Sequence, residues 1–319
     1  MKKSLVIAAL VLYATYTFAQ KAPVTYRDTV ATNFFKRTTG MIAGDGGYSV
    51  SLADGRSVWF MGDSHIDDYD MATKTIPCLF QVNNSAVVQK AGSWDKAATK
   101  TLVSNGPGKR SLFKSTQGEK DFYWPGMGLQ IKDTIYVYCS GIELTGAGGN
   151  MGFKGSGRNA IAKLKYPELT VSGYVNLPDT KDIGFGIGLI KEGKYVYIFG
   201  QKLDHASVSC AIYVARFAAD KPGVWEYWDG NTWQAEVNKL FVIANVAMTP
   251  QVVKLKNKYV LVSSQLSVDC DQGKEIFSSV SSSLTGPFTK MKPIHTIDDR
   301  KDGHSPFFYL PALHPQGRR

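Results

Sequence analysis

Cysteine is scarce and scattered: Cys78, Cys139, Cys210 and Cys270 are the only four among 319 residues, and no two form a C-x-x-C pair. That spacing excludes a zinc ribbon or a thioredoxin-like redox site and leaves buried thiols, with at most a single bridge, as the plain expectation. Stretches of helical periodicity are missing as well, as are a G-K-[ST] phosphate loop, an EF-hand loop and any recognisable Ser-His-Asp arrangement. Acidic side chains are the minority, 27 against 37 basic ones, for a net charge of +10. The excess lysines are spread through turns and outer strands, as at Lys132, Lys163, Lys194 and Lys256. They form no interleaved basic stripe, so nucleic acid is not an expected partner.

What is present begins with an address. Lys2 and Lys3 precede the mostly apolar run Ser4 to Tyr13, and Thr17-Phe18-Ala19 sets small residues before Gln20. This three-part pattern predicts a secretory signal peptide over residues 1–19 and a secreted or periplasmic chain with no membrane span. Residues 20–319 are then expected to form a single domain and a monomer.

A repeated hairpin dominates that domain. Gly46-Gly47-Tyr48-Ser49-Val50-Ser51-Leu52 is followed by a turn at Asp54-Gly55 and by Ser57-Val58-Trp59-Phe60-Met61-Gly62-Asp63. Similar pairs surround turns at Lys132-Asp133, Glu192-Gly193 and Lys256-Asn257, and each is followed by less apolar strands. Four strands per unit, the inner ones more apolar than the outer, predict an all-β protein built as a β-propeller. The run Gly184-Phe185-Gly186-Ile187-Gly188 lies inside this repeat with no helix after it, so it is not a dinucleotide loop.

A fifth run, His304-Ser305-Pro306-Phe307-Phe308-Tyr309-Leu310, begins and meets the chain end. The expectation is a five-bladed propeller with its last blade incomplete, the ending Gln316-Gly317-Arg318-Arg319 reading as a truncated tail. Residues 24–42, with Val30 to Phe35, are expected to give the last blade an outer strand. The glycine-rich stretch Gly146 to Gly157 reads as a loop over one mouth of the ring.

Both ends of a hairpin lie opposite its turn, so polar residues at the strand ends gather at one mouth. Asp45, Asp63, Glu143 and Asp182 are the candidate catalytic carboxylates there. Tyr123, Trp124, His65, Gln201, Gln265 and His304 are the candidate substrate-binding residues. Carboxylates, amides, imidazoles and aromatic faces around one cavity suit a carbohydrate, with hydrogen bonds for hydroxyls and flat faces for ring carbons.

The hairpins and the outer turn Ser283-Leu284-Thr285-Gly286-Pro287-Phe288 resemble the five-bladed propeller glycosidases, notably glycoside hydrolase family 43. Gly44-Asp45-Gly46-Gly47-Tyr48-Ser49 with Trp59-Phe60-Met61-Gly62-Asp63-Ser64 is similar to secreted bacterial propeller domains of uncharacterised function. The resemblance implies that Asp45 is a general base, that Asp182 loosely matches a pKa-tuning aspartate, and that His304 lines the channel beside a bound ion. It also implies a general-acid glutamate in the fourth blade, where this chain has Ala247-Met248-Thr249-Pro250 instead. Hydrolysis then requires Asp63 or Glu143 as the acid, opposite Asp45. Three roles remain open: a glycoside hydrolase, a glycan-binding propeller that lost its acid, and an interaction scaffold.

Overall fold

The computed structural model describes residues 25–104, 111–115, 120–146, 152–204, 208–265, 273–300 and 302–314. The expected signal peptide, Cys270, residues 147–151 of the glycine-rich stretch and the tail 316–319 lie outside the described residues. Four antiparallel sheets follow one another along the chain. The first holds β1 (Met41–Ser51), β2 (Ser57–Ile66), β3 (Ser85–Gln89) and β4 (Lys100–Leu102). The second holds β5 (Asp121–Ile131), β6 (Thr134–Leu144), β7 (Phe153–Gly155), β8 (Ala160–Lys165) and β9 (Thr170–Asn176). The third runs from β10 (Gly184–Glu192) and β11 (Tyr195–Leu203) through β12 (Cys210–Ala218) and β13 (Trp225–Trp228) to β14 (Trp233–Gln234). A short β15 (Ala244–Val246) adds to β12. The fourth holds β16 (Met248–Leu255), β17 (Lys258–Ser264), β18 (Glu275–Ser281) and β19 (Lys292–Thr296).

Each expected hairpin turn is in place, with Gly55, Lys132, Gly193 and Lys256 in the left-handed region that a tight reversal demands. Strands near the axis are packed on both faces and read as nearly continuous apolar runs, as in Val58-Trp59-Phe60-Met61 of β2. Separate cores fill the spaces between successive sheets. Val50, Phe60, Tyr123 and Ile135 share the first, Tyr138, Phe185 and Phe217 the second, and Phe199, Ile212, Val252 and Leu261 the third. Gly186 shows how tightly the centre is drawn. It has φ +96°, and a Cβ there would lie 2.2 Å from the Tyr138 ring. All four first strands bulge near the same level, between Gly44 and Tyr48, Pro125 and Gly128, Phe185 and Gly188, and Met248 and Gln251.

The propeller therefore has four blades among the described residues, not five. The segment expected to open a fifth blade, His304 to Leu310, forms no named strand, and residues 302–314 instead run as a strap between the fourth and first blades. Leu310 N–H donates to Thr249 Oγ1 (3.2 Å) and Leu313 N–H to Gln251 Oε1 (2.5 Å) on β16. On the other side, Ser49 Oγ of β1 bonds to His314 Nδ1 (2.8 Å). Leu310, like Thr249, is left-handed and precedes a proline, so the strap repeats the irregularity of β16.

The N-terminal contribution also differs from expectation. Thr29–Phe35 is an α-helix, α1, because the Asp28 carboxylate caps it by accepting from the Val30 and Ala31 N–H groups. It adds no outer strand to the fourth blade. Phe34 and Phe35 instead cover the outer face of the first blade against Trp59 and Trp94. Just before α1, Thr25 meets His295 and Arg27 pairs with Asp299 beside β19. The seam is thus crossed at its rim by residues 25–35 and near the axis by the strap. No helix among the described residues is long and apolar enough to cross a membrane.

Candidate functional site

Asp45 and Asp63 come together through an irregularity in the first hairpin. Gly44 pairs with Ser64 and Gly46 with Met61, so one residue of β1 faces two of β2. Gly46 and Gly47 both take positive φ (+81° and +89°) to restore the pairing, which is why two adjacent glycines follow the aspartate. A Cβ on Gly62 would lie 3.4 Å from the Asp45 Cβ and 3.6 Å from the Trp124 ring. The missing side chain lets a carboxylate and an indole from two blades approach the same spot.

The partners of these carboxylates are side chains. Asp63 Oδ1 accepts from Trp124 Nε1 (3.1 Å) and Asn83 Nδ2 (3.3 Å), while Asp45 Oδ1 accepts from the Tyr309 hydroxyl (2.6 Å). Among the described residues neither carboxylate forms an ion pair with Lys, Arg or His. Partial burial pushes the Asp63 carboxyl above its ordinary value. The hydrogen bonds from Trp124 and Asn83 oppose that shift, and the nearby Asp45 charge adds to it. Burial, together with the bond to Asp45, holds the Tyr309 phenol well above its usual range, so it stays a donor.

The other sequence candidates are placed differently. Glu143 faces Asp121 across β5 and β6, and Arg158 neutralises both, with Nη2 3.0 Å from Glu143 and a two-pronged bond to Asp121 at 2.6 and 2.8 Å. Asp182 is exposed and paired with Lys202 at 3.2 Å. Tyr123 is fully buried in the core between the first two blades, out of reach of a ligand. His65 is buried too, with Nδ1 2.7 Å from Asp68 and its ring against Phe80. Gln201 is half-buried on β11, Gln265 is an exposed residue bonded to the Glu275 N–H, and His304 is exposed on the strap. Among the described residues no three His, Cys, Asp or Glu side chains converge to hold a metal, at His304 or elsewhere. Cys78 is an exposed free thiol and Cys139 and Cys210 are buried ones, so the expectation of burial fails for Cys78.

Trp124 is therefore the sequence candidate that joins Asp45 and Asp63, and three further residues were missed. Asn83 leads into β3 beside Asn84, whose buried amide ties the first blade to the backbone of Phe113 and Tyr123. Tyr309 and His314 sit in a run that reads as an apolar strand. His314 packs on Trp59 at 4.7 Å, and burial pushes its imidazole down to about 4, so it is neutral near pH 7. A cavity of about 350 Å³ lies beside it, lined by Phe35, Met41, Trp59, Met61 and the glycines Gly44, Gly46 and Gly47.

The chain belongs to the family described as Domain of unknown function (DUF5005), whose profile matches residues 28–319. No curated protein sequence matches it. Among solved structures it is similar to a protein from Bacteroides ovatus ATCC 8483 provisionally named a hydrolase. That match has 18% identity and a TM-score of 0.72, and covers 92% of this chain and 81% of that one. An endo-arabinase from Bacteroides thetaiotaomicron VPI-5482 matches at 14% identity and TM-score 0.47, covering 82% of this chain and 85% of its own. An α-L-arabinofuranosidase from Clostridium thermocellum ATCC 27405 matches at 11% identity and TM-score 0.44, covering 83% and 76%. The match to the Bacteroides ovatus protein shows a shared fold.

Proposed function

We propose that this protein is a secreted glycoside hydrolase-like propeller that acts on a carbohydrate at the open end of the first blade. Asp63 is the general acid, Asp45 the base or nucleophile, and Tyr309 and Trp124 hold them in place. The observation that carries this reading is the bonding of both carboxylates to side chains from outside their own hairpin, Trp124 of the second blade and Tyr309 of the strap, with no ion-paired cation among the described residues. Turn residues would instead spend their oxygens on backbone N–H groups. Cleaving a glycosidic bond needs one carboxyl that keeps its proton near neutrality and one that is ionised. Partial burial and the charge of Asp45 favour the proton on Asp63, and the Asp45 carboxylate accepts from the Tyr309 hydroxyl. Glu143, the other candidate acid, is already paired with Arg158 at 3.0 Å.

One observation favours a purely binding role: the fourth blade has a buried Met248 and a Thr249 bonded to Ser264 where the resemblance implies an acid. Incubation with neutral oligosaccharides and measurement of reducing ends separates the two. Hydrolysis predicts release by the parent that is lost in both Asp45→Asn and Asp63→Asn. Product release unchanged in those variants contradicts the assignment, and binding without release supports the glycan-binding role.

A further inference from the structure

Phe307 and Tyr309 are large aromatic side chains left 53% and 43% exposed on the strap. They stand two residues apart in an extended run, so they share one face, with ring centroids 5.1 Å apart and planes at 40°. Phe307 lies in none of the four cores. Its neighbour Tyr309 reaches Asp45 through its hydroxyl. The strap that carries the pair is pinned to β16 through Leu310 and Leu313 and to β1 through His314, so the two rings are positioned before any ligand arrives. Opposite them, across Asp45 and Asp63, Trp124 stands with Phe122 and Phe153 at 5.7 and 4.8 Å.

We propose that Phe307 and Tyr309 form a stacking platform for a neutral sugar ring, on the strap side of the carboxylate pair and opposite Trp124. A sugar offers an apolar face of C–H groups and a rim of hydroxyls, which suits exposed rings ending in a phenol and flanked by carboxylate acceptors. The charge selects the class of sugar. Two carboxylates with no paired cation among the described residues repel a uronate or sulfated unit and accept hydroxyl donors from a neutral one. Rings on both sides of the carboxylates give the glycan contacts on either side of the bond to be cleaved. The platform rests on the hydrolase-like reading for its register along the glycan, but binding there does not require cleavage.

Calorimetric titration with gluco-, xylo-, galacto- and arabino-hexaoses, and with trigalacturonate as the anionic probe, tests this. The proteins are the parent, Phe307→Ala and Phe307→Trp. At least one neutral hexaose is expected to bind the parent, about tenfold more weakly to Phe307→Ala, and normally to Phe307→Trp. Trigalacturonate is expected to bind far more weakly than that hexaose. A melting curve checks that Phe307→Ala, a change at a half-exposed side chain, leaves the fold intact. Equal affinity in Phe307→Ala, equal or tighter binding of trigalacturonate, or no neutral hexaose bound by the parent at millimolar concentration would overturn the platform. Binding that obeys these rules with no sugar released by the parent leaves the platform standing and defeats only the hydrolase-like reading.

Discussion

Two acidic pairs sit at the open ends of neighbouring hairpins, and their surroundings separate them. In the second blade Asp121 and Glu143 are cross-strand neighbours clamped by one guanidinium, so their negative charge is spent on holding β5, β6 and Arg158 together. In the first blade Asp45 and Asp63 face each other across an irregular pairing, with a phenol, an indole and an amide as donors and no paired cation among the described residues. Desolvated charge without a counter-ion costs stability, and such a cost is characteristic of a site held ready for a ligand or a proton transfer. Acidic residues at a propeller mouth thus divide into those that brace blades and those available for chemistry, and the bonding partners tell them apart.

The largest expected contrast is in rate. Asp63→Asn should lower hydrolysis of a responsive oligosaccharide by about 100- to 10,000-fold, whereas Glu143→Gln should change it by less than about threefold. Equal losses would erase the distinction between the pairs, and initial rates of reducing-end release decide it.

The strap touches only the first pair, which makes acid a second way to separate them. Burial lowers the His314 pKa to about 4 from its ordinary 6.5, so an unfolded chain binds this proton more readily than the folded one. Stability tied to His314 is therefore full above pH 6.5 and declines as the pH falls toward 4, by on the order of 3 kcal/mol at most. Denaturant midpoints for the parent should fall across that window, and those of His314→Phe should fall less. Parallel curves would remove His314 from the closure of the ring.

Melting temperatures should move in opposite directions when each pair is altered. Arg158→Ala leaves the 5%-exposed Asp121 carboxylate without its partner and should lower Tm by roughly 2–4 °C. Asp63 has a raised folded-state value, so its favourable contribution is present below the unfolded value and lost as the pH climbs through the folded one. A neutral amide in place of the carboxyl escapes that loss, and Asp63→Asn should gain about 1–2 °C at pH 7.

The smallest effect is on the pH profile. The Trp124 indole donates to ionised Asp63 and pulls its pKa down, so Trp124→Phe should move the alkaline limb of the hydrolysis rate to higher pH by a fraction of a unit. A limb that stays in place, or moves to lower pH, would detach Asp63 from the role of acid.

The blades were legible in the sequence because inner strands packed on both faces read as unbroken apolar runs around turn residues that take positive φ. Ring closure was not. Val30 to Phe35 is apolar enough for a strand, but Asp28 caps it as a helix. The run from His304 to Leu310 reads as the start of a blade, yet it forms no named strand among the described residues and lies as a strap. Asp45 was legible from its glycine-flanked position, and Asp63 and Trp124 from their places at strand ends. Tyr123 was misplaced because alternation along β5 sends it into the core while its neighbour Trp124 faces Asp63. Tyr309 and Asn83 carried no local signal, since what they do depends on contacts between residues 264 and 20 positions apart.

The central claim is that Asp45 and Asp63 share one site whose charge is not neutralised, and a site-resolved carboxyl titration by NMR tests it most directly. Asp63 in the parent should titrate above the ordinary aspartate range, and its midpoint should fall in Asp45→Asn, where the neighbouring charge is gone. An Asp63 that titrates like a solvated aspartate, with a midpoint unmoved by Asp45→Asn, would contradict the claim.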